Sequence, residues 1–566
     1  MSRLLHGHRW QRWLPFLSWP RPSAAVLRGD ATAGIAVGLM VIPQGVAYAA
    51  LAGMPLITGI YASMLPALVA VLFSASVRLS VGPTALTCLL VSASLAGLAE
   101  PGSVGWISLA VWLALLSGLM QVALGAARFG WLLNLVNAPV LMAFTQGAAL
   151  LIIASQAATL LGLRSGWQWS DLSASVHLPA LAFGVAAVVF LRLARRWPRA
   201  FPSVLLLVVV SGLLSAWTGF AEQGGPVIGQ LPQGLPGLYL PNWPGWSTLS
   251  HLLLPALVIS LVSFLETASS AKADNAQRGQ RWDQDQDLIG QGLAKIASGL
   301  SGAFPTSSSF GRSALLLQGG AQTGWATVFA VLLVAMALLL LSPWLRFVPL
   351  SVLAAVVVVA VMNLLQASAF VRLWAVSRVE AAIALTTLVV TVLTAPRLYW
   401  GVLAGVLLSL SHFLYLRLHP RIIEVGLHPD GSLRDRHLWH LPPLAPATYA
   451  LRMDAALDFA TASAFELAVT RYLNQHPETR HVALLAQAIN WIDATGVEGF
   501  GRLRALLSAR GITLHLVGIK LPVENMLRTA GHLSDGPDLR LYRTEAEALQ
   551  AAPQWVGGSA ASHLSP

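Results

Sequence analysis

Two short stretches of the sequence combine a proline, small hydroxyl-bearing residues and a following apolar helix, a pattern that favours anion binding. The first reads GPTALT at 82–87 and the second reads FPTSSS at 304–309. A helix that begins inside a membrane presents free backbone N–H groups and a positive dipole end, which favour an anion. Because Ser and Thr are also ordinary N-caps, binding through the backbone and through side chains both stay open. The candidate ligands are Thr84, Ala85, Ser308 and Ser309.

Two charged side chains lie inside apolar helices, where a charge is costly and usually functional. Arg312 stands one turn into the helix after 304–309, where it either raises the electrostatic potential of the site or pairs with Glu266. Glu266 is the acid most clearly embedded in an apolar helix, and such a carboxylate can carry a proton together with an anion. A salt bridge between two helices is the structural alternative for Glu266.

Gln44 and Tyr48 lie one turn apart in the first apolar helix. The Gln44 amide can donate to a bound oxyanion, and a neutral donor suits a ligand that must also leave. The alternatives are an amide that ties helices together and a tyrosine that only packs. Four further acids follow the helix of Glu266, and we expect them to form a solvated cluster in a cytoplasmic loop: Asp274, Asp283, Asp285 and Asp287.

The composition excludes several classes of protein. Only 10% of the 566 residues are Asp, Glu, Lys or Arg and the mean hydropathy is +0.67, whereas soluble proteins carry about 25% charged residues. A soluble enzyme is therefore improbable, and so is a nucleic-acid-binding protein despite the net charge of +11. Cys88 is the one cysteine, which excludes an intrachain disulfide and a multi-cysteine metal site. The absence of a Walker loop and of paired His spacing disfavours an ATP-driven pump and metal catalysis, so we expect no enzyme activity and no cofactor.

The apolar runs predict fourteen helical segments within 31–416. Both sets of seven include an unusually short third member, and these two short segments carry the proline motifs. Because seven is an odd number, the second set of segments crosses the membrane in the opposite direction to the first set. Short helices interrupted by Gly or Pro at matching places in two such sets indicate a binding site at the midplane of a transporter. The alternative is that Pro and Gly merely kink ordinary spans. The segments are 31–50, 56–74, 84–99, 104–126, 132–162, 178–194, 202–218, 251–272, 285–302, 309–319, 322–342, 349–366, 380–395 and 397–416.

The distribution of Lys and Arg predicts the orientation, because cytoplasmic loops are enriched in them. An even number of spans puts both termini on one side, and the basic N-terminal residues put that side in the cytoplasm. The first 30 residues are polar and proline-rich, unlike a cleavable signal peptide. The predicted inside residues are Arg3, Arg9, Arg12, Arg21, Arg28, Arg78, Arg128, Arg192, Arg195, Arg196, Arg199, Lys272, Arg278, Arg281, Arg372 and Arg378, against Arg164, Arg346 and Arg397 outside.

The C-terminal part has the pattern of a soluble α/β domain. Strands are predicted at 447–453, 481–486 and 512–518, and helices lie between and after them at 463–475, 496–510 and 522–530. The predicted organisation is a cytoplasmic N-terminal segment (1–30), a membrane domain (31–416), a linker (417–446), a cytoplasmic domain (447–550) and a loose tail (551–566).

Several motifs resemble the SulP sulfate permease family of anion transporters over nearly the whole chain. The resemblance rests on IPQGVAYAALAGMP at 42–55, GIYAS at 59–63, SVGPTA at 80–85, GLSGAFP at 299–305 and FGRS at 310–313. It implies two inverted seven-helix repeats that form a core and a gate domain, a cytoplasmic STAS domain, and often a homodimer. Members move sulfate, bicarbonate, chloride, oxalate or dicarboxylates by symport or exchange.

The resemblance also bears on single residues. The loop IDATG at 492–496 is similar to the Asp-Ser-Gly loop of STAS domains and places Thr495 where bacterial regulators have a phosphoacceptor; we favour a plain N-cap. Sodium-coupled bicarbonate members imply an alternative role for Glu266, Thr267 and Ser269 as a cation site. Many members have Ser-Phe-Ser-Arg where this chain has SFGR at 309–312, so Gly311 removes one hydroxyl donor.

We therefore expect a secondary transporter in a bacterial inner membrane that couples uptake of sulfate or a similar oxyanion to protons. Sodium–bicarbonate symport, C4-dicarboxylate transport, anion exchange and an anion channel are alternatives within the family. A substrate-gated sensor that signals through the STAS domain is an alternative of another class. Arg312 and the absence of a second membrane acid on the tenth segment argue against a nucleobase permease. The expected partners are a small anion, the lipid bilayer and a second copy of the chain, and no nucleic acid.

Overall fold

The computed structural model describes residues 14–19, 22–131, 137–163, 176–194, 196–197, 203–230, 234–279, 281–362, 364–395, 397–534 and 536–555. The chain forms two compact units, Met1–Ser409 and Leu410–Pro566. Several predicted features lie outside the described residues: Arg3, Arg9, Arg12, Arg21, Arg164, Arg195, Arg199, the start of the fifth segment (132–136) and the tail from 556 onward.

The first unit is helical apart from two short strands, β1 (Val81–Gly82) and β2 (Ser307–Ser308). Its described helices are α1 (Ala24–Leu51), α2 (Leu56–Tyr61), α3 (Leu65–Phe73), α4 (Ala85–Leu95), α5 (Val104–Ala126), α6 (Ala138–Leu160), α7 (Leu178–Ala194), α8 (Ser203–Trp217), α9 (Trp246–Arg278), α10 (Gln284–Leu300), α11 (Phe310–Gln318), α12 (Trp325–Leu345), α13 (Leu350–Met362), α14 (Ala367–Val376), α15 (Arg378–Leu393) and α16 (Tyr399–Leu418).

Among the described residues, seven helical stretches are long and apolar enough to cross a membrane, and four shorter apolar helices accompany them. The count of fourteen spans therefore stays a prediction. The second predicted segment is two helices, because Pro66 in the first turn of α3 starts a new helix. Helix α14 was not predicted; it has an apolar and a polar side and no buried residue.

Glycines let the long helices of this unit approach closely. Gly34 and Gly38 of α1 face the backbone of α12, and Gly118 of α5 faces the backbone of Gly292 on α10. A side chain at any of these glycines would come within about 3 Å of the partner backbone. These close pairs hold α1 against α12 and α10 against α5, and all four helices carry buried residues.

The prediction of a solvated aspartate cluster was wrong. Helix α9 continues to Arg278, so Asp274 lies in the helix, where it is 1% exposed and pairs with Arg78. Asp287 is fully buried and accepts hydrogen bonds from Ser76 and Trp282. Of the other two, Asp283 caps α10 and Asp285 accepts the N–H of Gly130. These carboxylates stabilise helix ends and loops, which an unpaired surface cluster would not do.

The second unit contains a six-stranded sheet in the order β4-β3-β5-β6-β7-β8. The strands β5 to β8 are parallel, and β3 pairs with β4 and β5 antiparallel. Buried apolar side chains on both sheet faces form the core. The elements are β3 (Ile422–Leu427), β4 (Leu433–Asp435), β5 (Thr448–Met453), β6 (His481–Leu485), β7 (Thr513–Val517) and β8 (Leu539–Tyr542), with α17 (Ala462–Gln475), α18 (Ala494–Ala509), α19 (Leu521–Thr529) and α20 (Glu545–Trp555).

Three parts of this unit differ from the prediction. The stretch 417–446, predicted as a linker, contains β3 and β4. Strand β8 was not predicted, and α20 extends into the predicted tail as far as Trp555. Strand β4 has only three residues, two of them charged, so it lacks an apolar run. Strand β3 is mostly apolar, but the charged Glu424 interrupts its run.

Candidate functional site

A two-residue antiparallel ladder brings the two proline motifs together. Val81 of β1 lies opposite Ser308 of β2, and Gly82 lies opposite Ser307. The Ser309 N–H extends the ladder with a 2.9 Å hydrogen bond to the Ser80 carbonyl. Because the strands are antiparallel, the two chains leave the ladder in opposite directions, and each then begins a helix. The N-terminal ends of α4 and α11 are thus held in a fixed relation although they are more than 200 residues apart.

Each of these helices begins with a side-chain cap, as its sequence predicts. The Thr84 hydroxyl accepts the N–H of Thr87 at the start of α4. The Ser309 hydroxyl accepts the N–H of Arg312 at the start of α11. The caps leave the first N–H groups of each helix, on Ala85 and Leu86 and on Phe310 and Gly311, without an intrahelical acceptor. Both helix ends can therefore donate to an anion.

Ser308 and Gly311 occupy different positions at the second helix end. Ser308 is fully buried, and its Oγ lies 3.5 Å from the Ser313 Oγ. Gly311 is exposed, and a Cβ there would meet no atom within 4 Å. Because residue 311 is glycine and not serine, there is open space beside the free N–H groups of Phe310 and Gly311.

Arg312 is 2% exposed and packs against the ladder. Its Nε donates to the Ser80 Oγ at 3.1 Å, and its Nη1 donates to the Pro83 carbonyl at 3.0 Å. The second terminal nitrogen, Nη2, has no hydrogen-bond partner among the described residues. The guanidinium is thus held in place by two bonds and keeps one donor for a ligand.

Glu266 bonds to the first helix end. Its Oε2 accepts a 3.1 Å hydrogen bond from the Thr84 hydroxyl, which is also the cap of α4. The predicted alternative of an ion pair with Arg312 is not formed in the described structure, because Arg312 bonds to Ser80 and Pro83 instead. A change in the charge of Glu266 therefore acts directly on the residue that caps α4.

The hydroxyls of Thr267 and Ser269 do not converge on Glu266. The Thr267 Oγ1 donates to the Ser263 carbonyl on its own helix at 2.9 Å, and Ser269 is exposed. Among the described residues, no three His, Cys, Asp or Glu side chains converge as metal ligands. The three residues 266, 267 and 269 thus do not form a preorganised cation site in this conformation.

Gln44 and Tyr48 lie one turn apart in the buried part of α1. They are 5% and 7% exposed, and neither side chain makes a hydrogen bond to another described residue. Tyr48 lies within electrostatic range of both Arg312 and Glu266. The two residues owe their position to a crossing of α1 and α2, where a Cβ on Gly45 would lie 2.8 Å from the Gly59 carbonyl oxygen. The amide of Gln44 and the phenol of Tyr48 therefore stay candidate donors to the anion.

The sequence analysis missed a buried lysine. Lys295 of α10 is fully buried and donates a 2.9 Å hydrogen bond to the Gln121 Oε1 of α5. Lys295 and Glu266 lie within electrostatic range of each other. A basic residue within the ninth predicted segment was the available signal. The segment is amphipathic, which predicts an exposed polar face, whereas Lys295 on that face is buried.

Thr495 belongs to the second unit. The prediction that it is an N-cap was wrong, because Asp493 caps α18 by accepting the N–H of Gly496. Thr495 follows two residues later, in the first turn of the helix, and is exposed. Its hydroxyl is therefore accessible at a helix N-terminus.

Comparisons with known proteins agree with this architecture. Residues 27–387 match the Sulfate permease family, and residues 444–548 match the STAS domain. A probable sulfate transporter of Mycobacterium tuberculosis (strain CDC 1551 / Oshkosh) is 32% identical over 537 residues, which cover 93% of this chain and 95% of that protein. The chloroplastic Sulfate transporter 4.1 of Arabidopsis thaliana is 30% identical over 578 residues, which cover 97% of this chain and 83% of that protein.

Two solved structures share the fold. Murine Solute Carrier 26 family member A9, an anion transporter in the inward-facing state, superposes with a TM-score of 0.86 at 19% identity, covering 98% of this chain and 95% of that one. The transmembrane domain of a cyanobacterium bicarbonate transporter, BicA, superposes with a TM-score of 0.60 at 20% identity, covering 68% of this chain and 98% of that one. The chain is a multi-pass membrane protein that belongs to the Sulfate permease family and carries a C-terminal STAS domain.

Proposed function

We propose that this protein is a secondary transporter of small anions that takes up sulfate or a similar oxyanion together with protons. The observation that carries the proposal is the β1–β2 ladder, which holds two capped helix N-termini and the buried Arg312 around one site. Helix N-termini bind anions through free N–H groups and the helix dipole. This chain is similar to proteins named as sulfate transporters, which supports a small oxyanion as the substrate.

The transport mechanism that we propose is alternating access between a core and a gate domain. The ladder joins corresponding places in the two halves of the membrane unit, which supports two inverted repeats of seven segments. In this proposal the core carries the site, the protein lies in a bacterial inner membrane as a homodimer, and both termini and the STAS domain are cytoplasmic. Exposed Thr495 is a candidate for regulatory phosphorylation, since a phosphate is tolerated at a helix start.

Proton coupling through Glu266 is favoured over sodium coupling by the hydrogen bonds of α9. The carboxylate bonds to the cap of α4, so that proton binding and anion binding act on the same residue. The hydroxyls that a sodium ion would need are turned elsewhere, because Thr267 bonds to its own helix backbone and Ser269 is exposed. Both features support a proton as the coupling ion.

Uptake of radiolabelled sulfate into proteoliposomes tests the proposal. We expect an inward proton gradient to stimulate uptake and a sodium gradient to have no effect. The Glu266→Gln variant should lose the stimulation while it retains sulfate–sulfate exchange, and Glu222→Gln, which changes an exposed acid, is the control. Uptake that requires sodium and ignores the pH gradient would refute proton coupling. Unitary currents would show a channel instead of a transporter.

A further inference from the structure

Lys295 is a buried cation whose only hydrogen bond to a described residue goes to a neutral group. The chain has three lysines, Lys272, Lys295 and Lys520, and only Lys295 is fully buried. Its ammonium donates to the Gln121 Oε1 at 2.9 Å. A charge inside a membrane protein is costly and is usually paired or functional, so a purely structural amide contact does not account for this lysine.

The Gln121 amide connects the lysine to the helix of Glu266. Its Nε2 donates to the Ser260 carbonyl at 2.7 Å and to the Ser263 Oγ at 3.0 Å, both on α9. The Ser263 carbonyl in turn accepts the Ser307 hydroxyl of the ladder at 3.0 Å. A continuous set of hydrogen bonds therefore runs from Lys295 to the α9 turn before Glu266 and to the β1–β2 ladder.

Glu266 is the acid that can balance this lysine. Gln121 joins Lys295 to Ser263, which lies three residues, or about one helical turn, before Glu266 on α9. Asp287 is on the same helix as Lys295, but eight residues along an α-helix separate the two by about 12 Å, and Asp287 already accepts bonds from Ser76 and Trp282. Asp274 pairs with Arg78. Both aspartates are thus committed elsewhere.

The charges around the site can then be counted. Arg312 of α11 and Lys295 of α10 each contribute a positive charge, and ionised Glu266 of α9 contributes one negative charge. The other titratable groups facing Glu266 are Tyr48 of α1 and Cys88 of α4, which are ordinarily neutral near pH 7. The sum is one positive charge, and it becomes two when Glu266 takes a proton.

We propose that Lys295 is the counter-charge of Glu266 and thereby a positioning residue that selects divalent anions. While Glu266 is ionised, it compensates Lys295. When a proton from water bonds to the carboxylate, the charge of Lys295 is released and adds to that of Arg312 in attracting a divalent anion. Proton binding and binding of a divalent anion therefore strengthen each other, as reciprocal linkage requires. This inference rests on the proposed function of the site.

Anion binding to the purified full-length protein, measured by calorimetry, tests the inference. Sulfate and oxalate are compared with nitrate and chloride for the wild type and for Lys295→Met. We expect the variant to lose about tenfold in affinity for the divalent anions, since one positive charge is removed, and to retain its affinity for the monovalent ones. Lys295→Arg should keep the preference for divalent anions. Lys272→Met is the matched control, because it removes an exposed lysine from α9.

A second variant keeps the inference testable if Lys295→Met does not fold. Lys295→Gln removes the positive charge and keeps a polar side chain that can donate to the Gln121 Oε1. We expect it also to lower divalent affinity selectively, and to weaken the tightening of sulfate binding at lower pH. Unchanged ratios of divalent to monovalent affinity in both variants, or equal losses for both anion classes, would overturn the inference. The ratios of divalent to monovalent affinity do not depend on transport. A lack of proton-driven sulfate uptake in vesicles would therefore contradict the proposed function and leave the test of Lys295 intact.

Discussion

At the scale of single residues, Gly311 and Arg312 make opposite contributions to the second helix end. Arg312 is fixed by two hydrogen bonds and leaves Nη2 free, so it supplies a rigid donor. Gly311 supplies only its backbone N–H and leaves the adjacent space open. In the proposed site, the donors at this helix end are therefore backbone N–H groups and one guanidinium.

The open space at Gly311 predicts that a hydroxyl can be added there. In Gly311→Ser, the new Cβ meets no atom within 4 Å, so the thermal stability should be unchanged. One additional hydrogen bond is worth about 0.5–1.5 kcal/mol, so sulfate should bind about two- to tenfold more tightly in a calorimetric titration. Gly311→Ala adds the same Cβ without the hydroxyl and is the control. Equal affinities of the Ser and Ala variants would show that residue 311 does not face the bound anion.

At the scale of helices, the crossing of α1 and α2 positions Gln44 and Tyr48. A Cβ on Gly45 would lie 2.8 Å from the carbonyl oxygen of Gly59, which is backbone and cannot move aside cheaply. Gly45→Ala should therefore separate the two helices, destabilise the protein by about 1–3 kcal/mol and weaken sulfate binding. Gly105→Ala on α5 is the control, because its nearest neighbours lie at 3.7 Å or more. Thermal unfolding and binding measured on both variants test the prediction, and equal behaviour would contradict it.

The helices and the site differ in how far the sequence predicts them. Long apolar runs mark α5 and α7 to the residue, and the Pro-Thr motifs identify both helix starts before any contact is known. The pairing of Val81 with Ser308 and the burial of Lys295 were not predictable, because they depend on contacts between distant parts of the chain. The buried Asp274 was misjudged for a related reason: its partner, Arg78, is 196 residues away.

At the scale of the whole molecule, the chain has two units with separate cores, and the STAS domain carries its own pH dependence. Burial, with smaller contributions from His481 and Arg540, lowers the pKa of His515 from 6.5 to about 3. In the unfolded chain His515 regains its ordinary pKa, so the unfolded state binds more protons between these values. The contribution to stability is complete above about pH 6.5 and is lost as the pH falls toward 3.

Calorimetric unfolding of the full chain at neutral pH and at about pH 5 measures this effect. We expect unfolding of the STAS domain to shift to lower temperature at the acid pH. The shift should be smaller in His515→Phe, which cannot be protonated at that position. His440→Asn, which changes an exposed histidine of the same unit, should behave like the wild type. If the unfolding temperature falls equally at acid pH in the wild type and in His515→Phe, another group controls the pH dependence.

The central claim is that an anion binds between the N-terminal ends of α4 and α11, and the anomalous signal of selenate in crystals of the protein tests it most directly. We predict a selenium peak whose oxygens lie about 3 Å from the free N–H groups of Ala85, Leu86, Phe310 or Gly311, on the side of the Arg312 Nη2. The peak should be lost in Arg312→Gln and kept in Arg372→Gln, which removes an exposed arginine. A selenium peak elsewhere in the membrane unit, with none between the two helix ends, would contradict the account.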